Sequence, residues 1–277
     1  MSANNATLFL VATPIGNLDE VSKRTLEVLG SVHYLACEDT RNTIKLLTRF
    51  DLHPKMLAYH NFNEKQSCEG IIALLESGED VALVSDAGYP LISDPGYELV
   101  EACVEHGFPI VPVSGPNAAL NALVASGLDT RHYLFYGFLN TADNKAKKEL
   151  EELRDFPYTL IFYEAPHRIK KRLKLFAEVL GDRKACLARE LTKIHEEFRR
   201  GHLLEIDTAG LKGEMVLVIE GAGRETAPIE EKELLKEMDE LLEQGYKVKA
   251  AAEMLAMKYH LKKNELYQLY LRREKNA

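Results

Sequence analysis

The sequence predicts an α/β protein built of two α/β domains followed by a helical extension. Three observations predict it. Short apolar runs alternate with helical stretches through residues 1–115, the pattern of a parallel sheet covered on both faces. Residues 116–226 continue with strands and helices in a less regular order, which suits a mixed sheet. Residues 227–277 contain helical patterns and no strand pattern. The boundary between the first two domains is expected near Ser114 to Asn117.

The elements follow in order. Thr7 to Ala12 is a continuous apolar run, as in a buried parallel strand, and ends in Thr13-Pro14-Ile15-Gly16-Asn17. A helical stretch then runs to Leu29, with Gly30 as its expected stop. Val32 to Cys37 is a second strand, ending in Glu38-Asp39-Thr40-Arg41, with a helix through Phe50. Met56 to Ala58 is a short third strand, ending in Tyr59-His60-Asn61-Phe62-Asn63-Glu64, with a helix from about Ser67 to Glu76. Val81 to Val84 is the fourth strand. It enters a loop of small residues, Ser85 to Gly96, in which Asp94 is the expected N-cap of the next helix and Pro95 its first residue. That helix ends at His106-Gly107, and Pro109 to Val113 is the fifth strand.

In the second half, Ala118 to Ser126 reads as helix, Tyr133 to Phe138 as strand and Asp143 to Arg154 as a charged helix. Thr159 to Tyr163 is a strand leading to Glu164-Ala165-Pro166-His167-Arg168, and a helix then runs to Leu180 before Gly181. Lys184 to Arg189, Phe198 to Ile206 and Met215 to Ile219 are the remaining strands. Glu230 to Glu243 is an acidic amphipathic helix. Lys247 to Lys258 and Asn264 to Arg273 form a helix pair around the turn Tyr259 to Lys263. Lys247, Lys249, Lys258, Lys262, Lys263, Arg272, Arg273 and Lys275 give it a basic bias, so it is either a helix-turn-helix-like RNA contact or a solvated helical cap.

The chain has 277 residues, 46% hydrophobic and 28% charged, an ordinary globular composition. No apolar run is long enough to span a bilayer, and Met1 to Asn5 does not resemble the start of a secretion signal, so a cytoplasmic protein is expected. A net charge of −8 argues against a protein that coats nucleic acid non-specifically, though a local basic patch is compatible with it. Cys37, Cys68, Cys103 and Cys186 form no CxxC pair, and Cys37, Cys103 and Cys186 sit in apolar elements as expected buried thiols. His195-Glu196 begins like a zinc-protease HExxH, but the next histidine is His202, so no metal site is expected.

Each strand of the first half ends in polar or Gly/Pro-rich sequence. Open α/β sheets bind ligands at that edge, so the repetition favours a binding site over mere turn formation. A P-loop is absent, as are a GxGxxG after the first strand and a GxSxG elbow. Glu38, Asp39, Asp86 and Asp94 leave open a Mg²⁺-dependent hydrolase.

Five segments settle on a known pattern: Val11 to Leu18, Cys37 to Arg41, Ser85 to Gly96, Phe162 to Arg168 and Ala188 to Lys193. Together they resemble the bacterial ribosomal RNA small subunit methyltransferase I family, within the tetrapyrrole-methylase (class III) superfamily. The resemblance implies two α/β domains of the tetrapyrrole-methylase type with S-adenosylmethionine in the cleft between them, and a homodimer. It also implies 2′-O-methylation of a cytidine in the decoding region of 16S rRNA. Three departures stand out: Tyr89 replaces a usual Thr, Ser114 a usual Pro, and Asn140-Thr141-Ala142 a Pro/Lys-containing loop.

By the same resemblance Pro14, Gly16, Asp86, Gly88, Pro90, Ser114, Ala118, Ala119, Phe162, Leu191 and Met215 are assigned to the cofactor cleft. Phe162, Leu191 and Met215 read equally well as core. Small residues suit such a cleft because they let backbone approach the cofactor. A ribose hydroxyl is hardly ionised at neutral pH, so a positioned base is expected. Its candidates are Glu38, Asp39, Lys193 and Glu196, with His60 and Glu64 behind them. Lys193 needs a lowered pKa for that role. Glu38 and Asp39 have a second reading as partners of Arg41 that hold their loop. Arg41, His60, Arg168 and Arg189 are the expected RNA contacts, the arginines having a second reading as internal ion-pair partners. A small-tetrapyrrole methyltransferase of the same fold, and a non-catalytic RNA-binding module, are the remaining rivals.

Overall fold

The apolar runs of the first half become strands β1 (Leu8–Val11), β2 (Tyr34–Cys37), β3 (Lys55–Ala58), β4 (Val81–Val84) and β5 (Ile110–Val113). The computed structural model describes residues 6–60, 64–223, 231–259, 261 and 263–276. Asn61, Phe62, Asn63, Pro228, Glu230, His260 and Lys262 lie outside the described residues, as do the side chains of Lys258 and Lys275. The chain divides into two compact units, Met1–Gly221 and Ala222–Ala277, and both sheets belong to the first.

The five strands make one parallel sheet in the order β3-β2-β4-β1-β5. Central β4 is buried along its whole length, which explains its unbroken apolar sequence. Val81 and Leu83 join the core formed with α3 (Glu64–Glu76) and α4 (Tyr97–His106). Ala82 and Val84 face the opposite core, with α1 (Lys23–Ser31) and α2 (Thr40–Arg49). Pro112 is tolerated because β5 is an edge strand that need not donate there.

The second sheet is mixed. It comprises β6 (Tyr133–Phe138), β7 (Thr159–Glu164), β8 (Lys184–Arg189), β9 (Glu197–His202) and β10 (Met215–Ile219) in the order β6-β7-β10-β8-β9. Only the β6–β7 pair is parallel. Side-chain parity sorts its two faces. Leu160, Phe162, Leu217 and Ile219 pack on α6 (Asp143–Glu152) and α7 (Ile169–Leu180). Ile161, Val216 and Val218 pack with Ala119, Ala122 and Leu123 of α5 (Ala118–Ser126).

The second unit holds α8 (Glu231–Glu243), α9 (Val248–Tyr259) and α10 (Lys263–Asn276) around Leu234, Met238, Ala251, Ala252, Leu255 and Leu266. Among the described residues of its basic set, Lys263 pairs with Glu253 and Arg273 with Asp239.

Three elements differ from the sequence reading. Gly30 does not stop α1, which runs on to Ser31. A Cβ at Gly30 would sit 3.4 Å from Leu52, an ordinary contact, so nothing in the packing requires glycine there. Asp94 and Pro95 precede α4 instead of opening it. Gly96 holds the cap position at φ 135°, and the Asp94 side chain hydrogen-bonds Ser85. Strand β9 ends at His202, where a turn replaces the expected run to Ile206.

Gly96 has little freedom to change. A Cβ there would lie 3.0 Å from Leu83 and 3.1 Å from Leu91, besides the positive φ. Gly107 is also left-handed, at φ 73°, but a Cβ there meets nothing within 4 Å. Gly96→Ala is expected to cost about 2–4 kcal/mol and Gly107→Ala about 1, read from urea midpoints at constant slope.

Candidate functional site

The loops at the carboxyl edge of the first sheet are tied to one another. Thr13 donates its backbone N–H to the Gly88 carbonyl at 2.8 Å, and Gly88 returns the bond at 3.0 Å. Gly88 has a φ of 82°, open to glycine and strained for other residues. The Tyr89 hydroxyl accepts the Gly115 N–H at 3.2 Å, tying the β4 loop to the β5 loop. Tyr89 thus makes a bond across two loops.

These loops and the nearby edge of the second sheet enclose a cavity of about 750 Å³. Its apolar wall includes Ile15, Ala118, Leu191, Met215 and Val216, and its polar wall includes Glu38, Asp86, Asp94, Glu164, Glu190, Lys193 and Glu214.

Of the residues assigned to the cofactor, Asp86, Gly88, Ala118, Leu191 and Met215 line this cavity. Gly16 borders it, because a Cβ there would lie 2.6 Å from the Lys193 side chain. Pro14, Pro90 and Ala119 are buried behind the wall, and Ser114 is exposed outside it. Phe162 is fully buried among the α6 and α7 contacts, while its neighbour Tyr163 lines the cavity. That exchange is the period-2 alternation of a strand.

The candidate bases separate clearly. Glu38 lines the cavity, and burial followed by the nearby Asp86 raises its pKa, with His60 opposing. Asp39 caps α2, accepting the Arg41 N–H at 2.8 Å and the Arg41 guanidinium at 2.6 Å. Those hydrogen bonds hold it at about 2. Lys193 lines the cavity between Glu190 at 3.0 Å and Glu214 at 2.8 Å. Burial pulls its pKa down, but the two carboxylate bonds outweigh burial and the net shift is upward, so the side chain stays an ammonium. Glu196 accepts the Thr192 N–H at 2.7 Å and stabilises its own turn. Glu64 accepts from the Tyr59 hydroxyl and from the Gly96 N–H at 3.0 Å, fixing the start of α4.

Among the expected RNA contacts, the Arg41 side chain is 88% exposed, so its pairing with Asp39 leaves it accessible. Arg168 donates to Glu164 at 2.9 Å and Arg189 to Glu197 at 2.6 Å, each largely covered. His60 is partly buried and lies near enough to Glu38 to oppose the rise in its pKa.

Phe138, Tyr163, Glu164 and Glu214 line the cavity without having been assigned to a site, and Asp94, read as a helix cap and a possible Mg²⁺ ligand, lines it too. Asp94 carries the largest change. Burial, then the charge of Glu38, then Asp86 push its carboxyl up to about 6, against the Ser85 hydrogen bond. Its signal was present in the loop's second Asp, but cap statistics point elsewhere.

Residues 7–207 match the family of tetrapyrrole (corrin/porphyrin) methylases. The chain is 43% identical over 272 residues to the Ribosomal RNA small subunit methyltransferase I of Bacillus subtilis (strain 168), covering 95% of this chain and 93% of that one. It is 44% identical over 270 residues to the protein of the same name from Vibrio cholerae serotype O1, with 94% and 92% covered. This chain belongs to the ribosomal RNA small subunit methyltransferase I family. Among solved structures, uroporphyrin-III C-methyltransferase from Thermus thermophilus complexed with S-adenosylhomocysteine matches with a TM-score of 0.56 at 16% identity, covering 78% of this chain and 98% of that one. At that identity the match speaks for the tetrapyrrole-methylase fold alone. In this member of the methyltransferase I family the two sheets therefore carry the fold of the superfamily, and the cavity lies at the edge where open α/β sheets take ligands.

Behind the cavity lies a buried ionic group. Glu164 and Arg172 have side chains 0% and 2% exposed, 3.9 Å apart, and Arg172 also bonds the carbonyls of Asn140 and Thr141. Removing Arg172 leaves the buried Glu164 still paired with Arg168 but without its second arginine, and leaves the Asn140 and Thr141 carbonyls without this donor. Arg172→Met is expected to cost about 3–5 kcal/mol in chemical denaturation, and Glu164→Gln in the same chain to recover part of it, a non-additive cycle.

Proposed function

We propose that this protein transfers a methyl group from S-adenosylmethionine to the ribose 2′-hydroxyl of a cytidine in the decoding region of 16S rRNA, acting in the cytoplasm as a homodimer. The observation that carries the reading is the cavity itself, in a chain 43% and 44% identical to relatives named Ribosomal RNA small subunit methyltransferase I. The S-adenosylhomocysteine in the structurally similar Thermus protein supports the cofactor. The cytidine, the 2′ position and the homodimer rest on the resemblance of the sequence motifs, and the compartment on the sequence reading of its apolar runs and first residues.

The residues present fit the cofactor. A cavity of about 750 Å³ is in the range of small-molecule sites, and its carboxylates suit a cation. Asp86, Gly88, Ala118, Leu191 and Met215 would hold it. When bound, it supplies an activated methyl group. The protein's own task is alignment and removal of the hydroxyl proton.

The partners of the wall carboxylates leave Glu38 and Asp94 for that proton, and the larger upward shift supports Asp94. Glu190 and Glu214 bind Lys193, and Glu164 binds Arg168. Asp86 accepts from Asn42 at 2.8 Å. Burial, then the charge of Glu38, and then Asp86 raise the Asp94 pKa, the Ser85 hydrogen bond lowers it, and the net shift is upward, so its carboxylate is the more basic. Asp94 takes the proton at its carboxylate, and Glu38 tunes it. The carboxylates also repel phosphate, so the RNA presents its ribose to the cavity and its phosphates to outer cations such as Arg41.

The direct test uses labelled S-adenosylmethionine and small ribosomal subunits from a strain lacking the protein, with the product mapped by 2′-O-methyl-sensitive reverse transcription. A single modified cytidine ribose is expected. Absence of transfer to subunits and to naked 16S rRNA, from protein that binds the cofactor, would overturn the reading.

The pH dependence follows from the sign of the Asp94 shift. Its carboxylate must be ionised to accept a proton, so kcat should rise with pH and level off above about 6. Asp94→Asn should lower kcat by about 10²–10⁴ and abolish that limb. Glu38→Gln removes a neighbouring anion, so the limb should move to lower pH. The same elevated pKa means that ionising Asp94 destabilises the fold: stability present below about 4 is lost as pH rises through about 6. Asp94→Asn should therefore raise the melting temperature at pH 7.5 while turnover falls.

A further inference from the structure

Phe138 is 52% exposed, yet it stands on the cavity wall at the end of a strand. The reason is a β-bulge. Phe135 pairs with Ile161, and after the register shift Gly137 pairs with Phe162 and Phe138 with Tyr163. Without the extra residue, Phe138 would follow Leu134 and Tyr136 onto the α6 and α7 face. With it, Phe138 turns to the face of Phe135 and Tyr163, and Leu139 takes the core position instead. Gly137 adopts φ 83° to allow this, and a Cβ there would lie 3.1 Å from Ser93 of the β4 loop. Bulges beside active sites commonly re-aim a side chain.

The ring is held firmly. Tyr163 meets it edge-on at 5.3 Å between centroids, and the Arg168 guanidinium lies 5.9 Å from its centre, itself fixed on Glu164. Ile92 of the β4 loop, 42% exposed, is a second apolar residue on the cavity wall. A fixed, exposed aromatic beside an arginine suits a nucleobase, whose face needs a stacking partner once it leaves its helix.

We propose that Phe138 is the platform on which the base of the acceptor nucleotide stacks when its ribose enters the cavity. The proposal rests on RNA being the substrate. It makes Phe138 a positioning residue that acts on RNA binding and leaves the cofactor's affinity alone.

The test compares Phe138→Ala, Phe138→Leu and Phe138→Trp with the wild type in methyl transfer to small subunits from a strain lacking the protein. Calorimetric titration with S-adenosylmethionine is run on each protein. The expected result for Phe138→Ala is a KM for subunits raised about 5- to 140-fold. Trp should restore it and Leu should not, with cofactor Kd unchanged within two-fold throughout. The proposal is overturned if the alanine variant stays within two-fold of wild type, if Leu restores KM as well as Trp, or if cofactor affinity falls in parallel. Failure of the wild type to methylate rRNA would count against the proposed function, so the two readings fail separately.

Discussion

Strands β1 and β4 lie side by side and parallel, and their connections leave in opposite directions across the sheet, β1 toward β2 and β4 toward β5. That arrangement opens a crevice at their shared carboxyl edge. The paired backbone bonds between Thr13 and Gly88 fix its floor. Everything else in the site is placed relative to that floor. The β2 loop brings Glu38 from one side, the β5 loop is tied in by Tyr89, and the long β4 loop covers the front with Ile92, Ser93 and Asp94.

The charge distribution then follows from burial. Glu164 is compensated by two arginines, and Glu190 and Glu214 by Lys193. Glu38, Asp86 and Asp94 are left facing one another, and both raised pKa values trace to burial and mutual repulsion. Such a wall is less stable empty than when it faces a cation. It also sorts ligands by sign: a sulfonium is attracted and a phosphate repelled. The acidic cavity and an RNA substrate are compatible only if the nucleotide enters sugar first.

The alternation of strands and helices, the parallel and mixed sheets and the helical tail were legible because burial on two faces demands continuous apolar runs. Glu38 was legible as a candidate base at a strand end, while Asp86, Gly88 and Leu191 were placed in the cleft by the family resemblance. What was not legible depended on parity, topology or loop geometry. Phe162 and Tyr163 are adjacent in one motif, and only the strand's register decides which one faces the cavity. Glu214 precedes a strand instead of following one. It reaches the site because β10 is antiparallel, which sets Met215 opposite Glu164 and Arg189 at the ends of β7 and β8. Asp94 resembled a helix cap until Gly96 was seen to occupy that place. Phe138 belonged to no motif, because a bulge leaves no signature in hydrophobic periodicity.

Backbone strain is concentrated where these exceptions occur. Leu91, Ser93, Glu190 and Thr192 all have positive φ, and all lie in the two loops that carry Asp94 and Lys193. Residues other than glycine keep such angles only where their surroundings over-determine them. Here the surroundings are identifiable. Ser93 is in close contact with the bulged Gly137, and Gly96 is wedged against Leu83 and Leu91. Glu190 occupies the space a side chain at Gly213 would need, 2.1 Å from the missing Cβ, while accepting the Glu214 N–H at 3.1 Å. The same glycines that admit the strained residues also forbid them to relax, so the Asp94 carboxylate and the Lys193 ammonium are held in position before any ligand arrives. Preorganisation of this kind lowers the reorganisation needed at the moment of reaction.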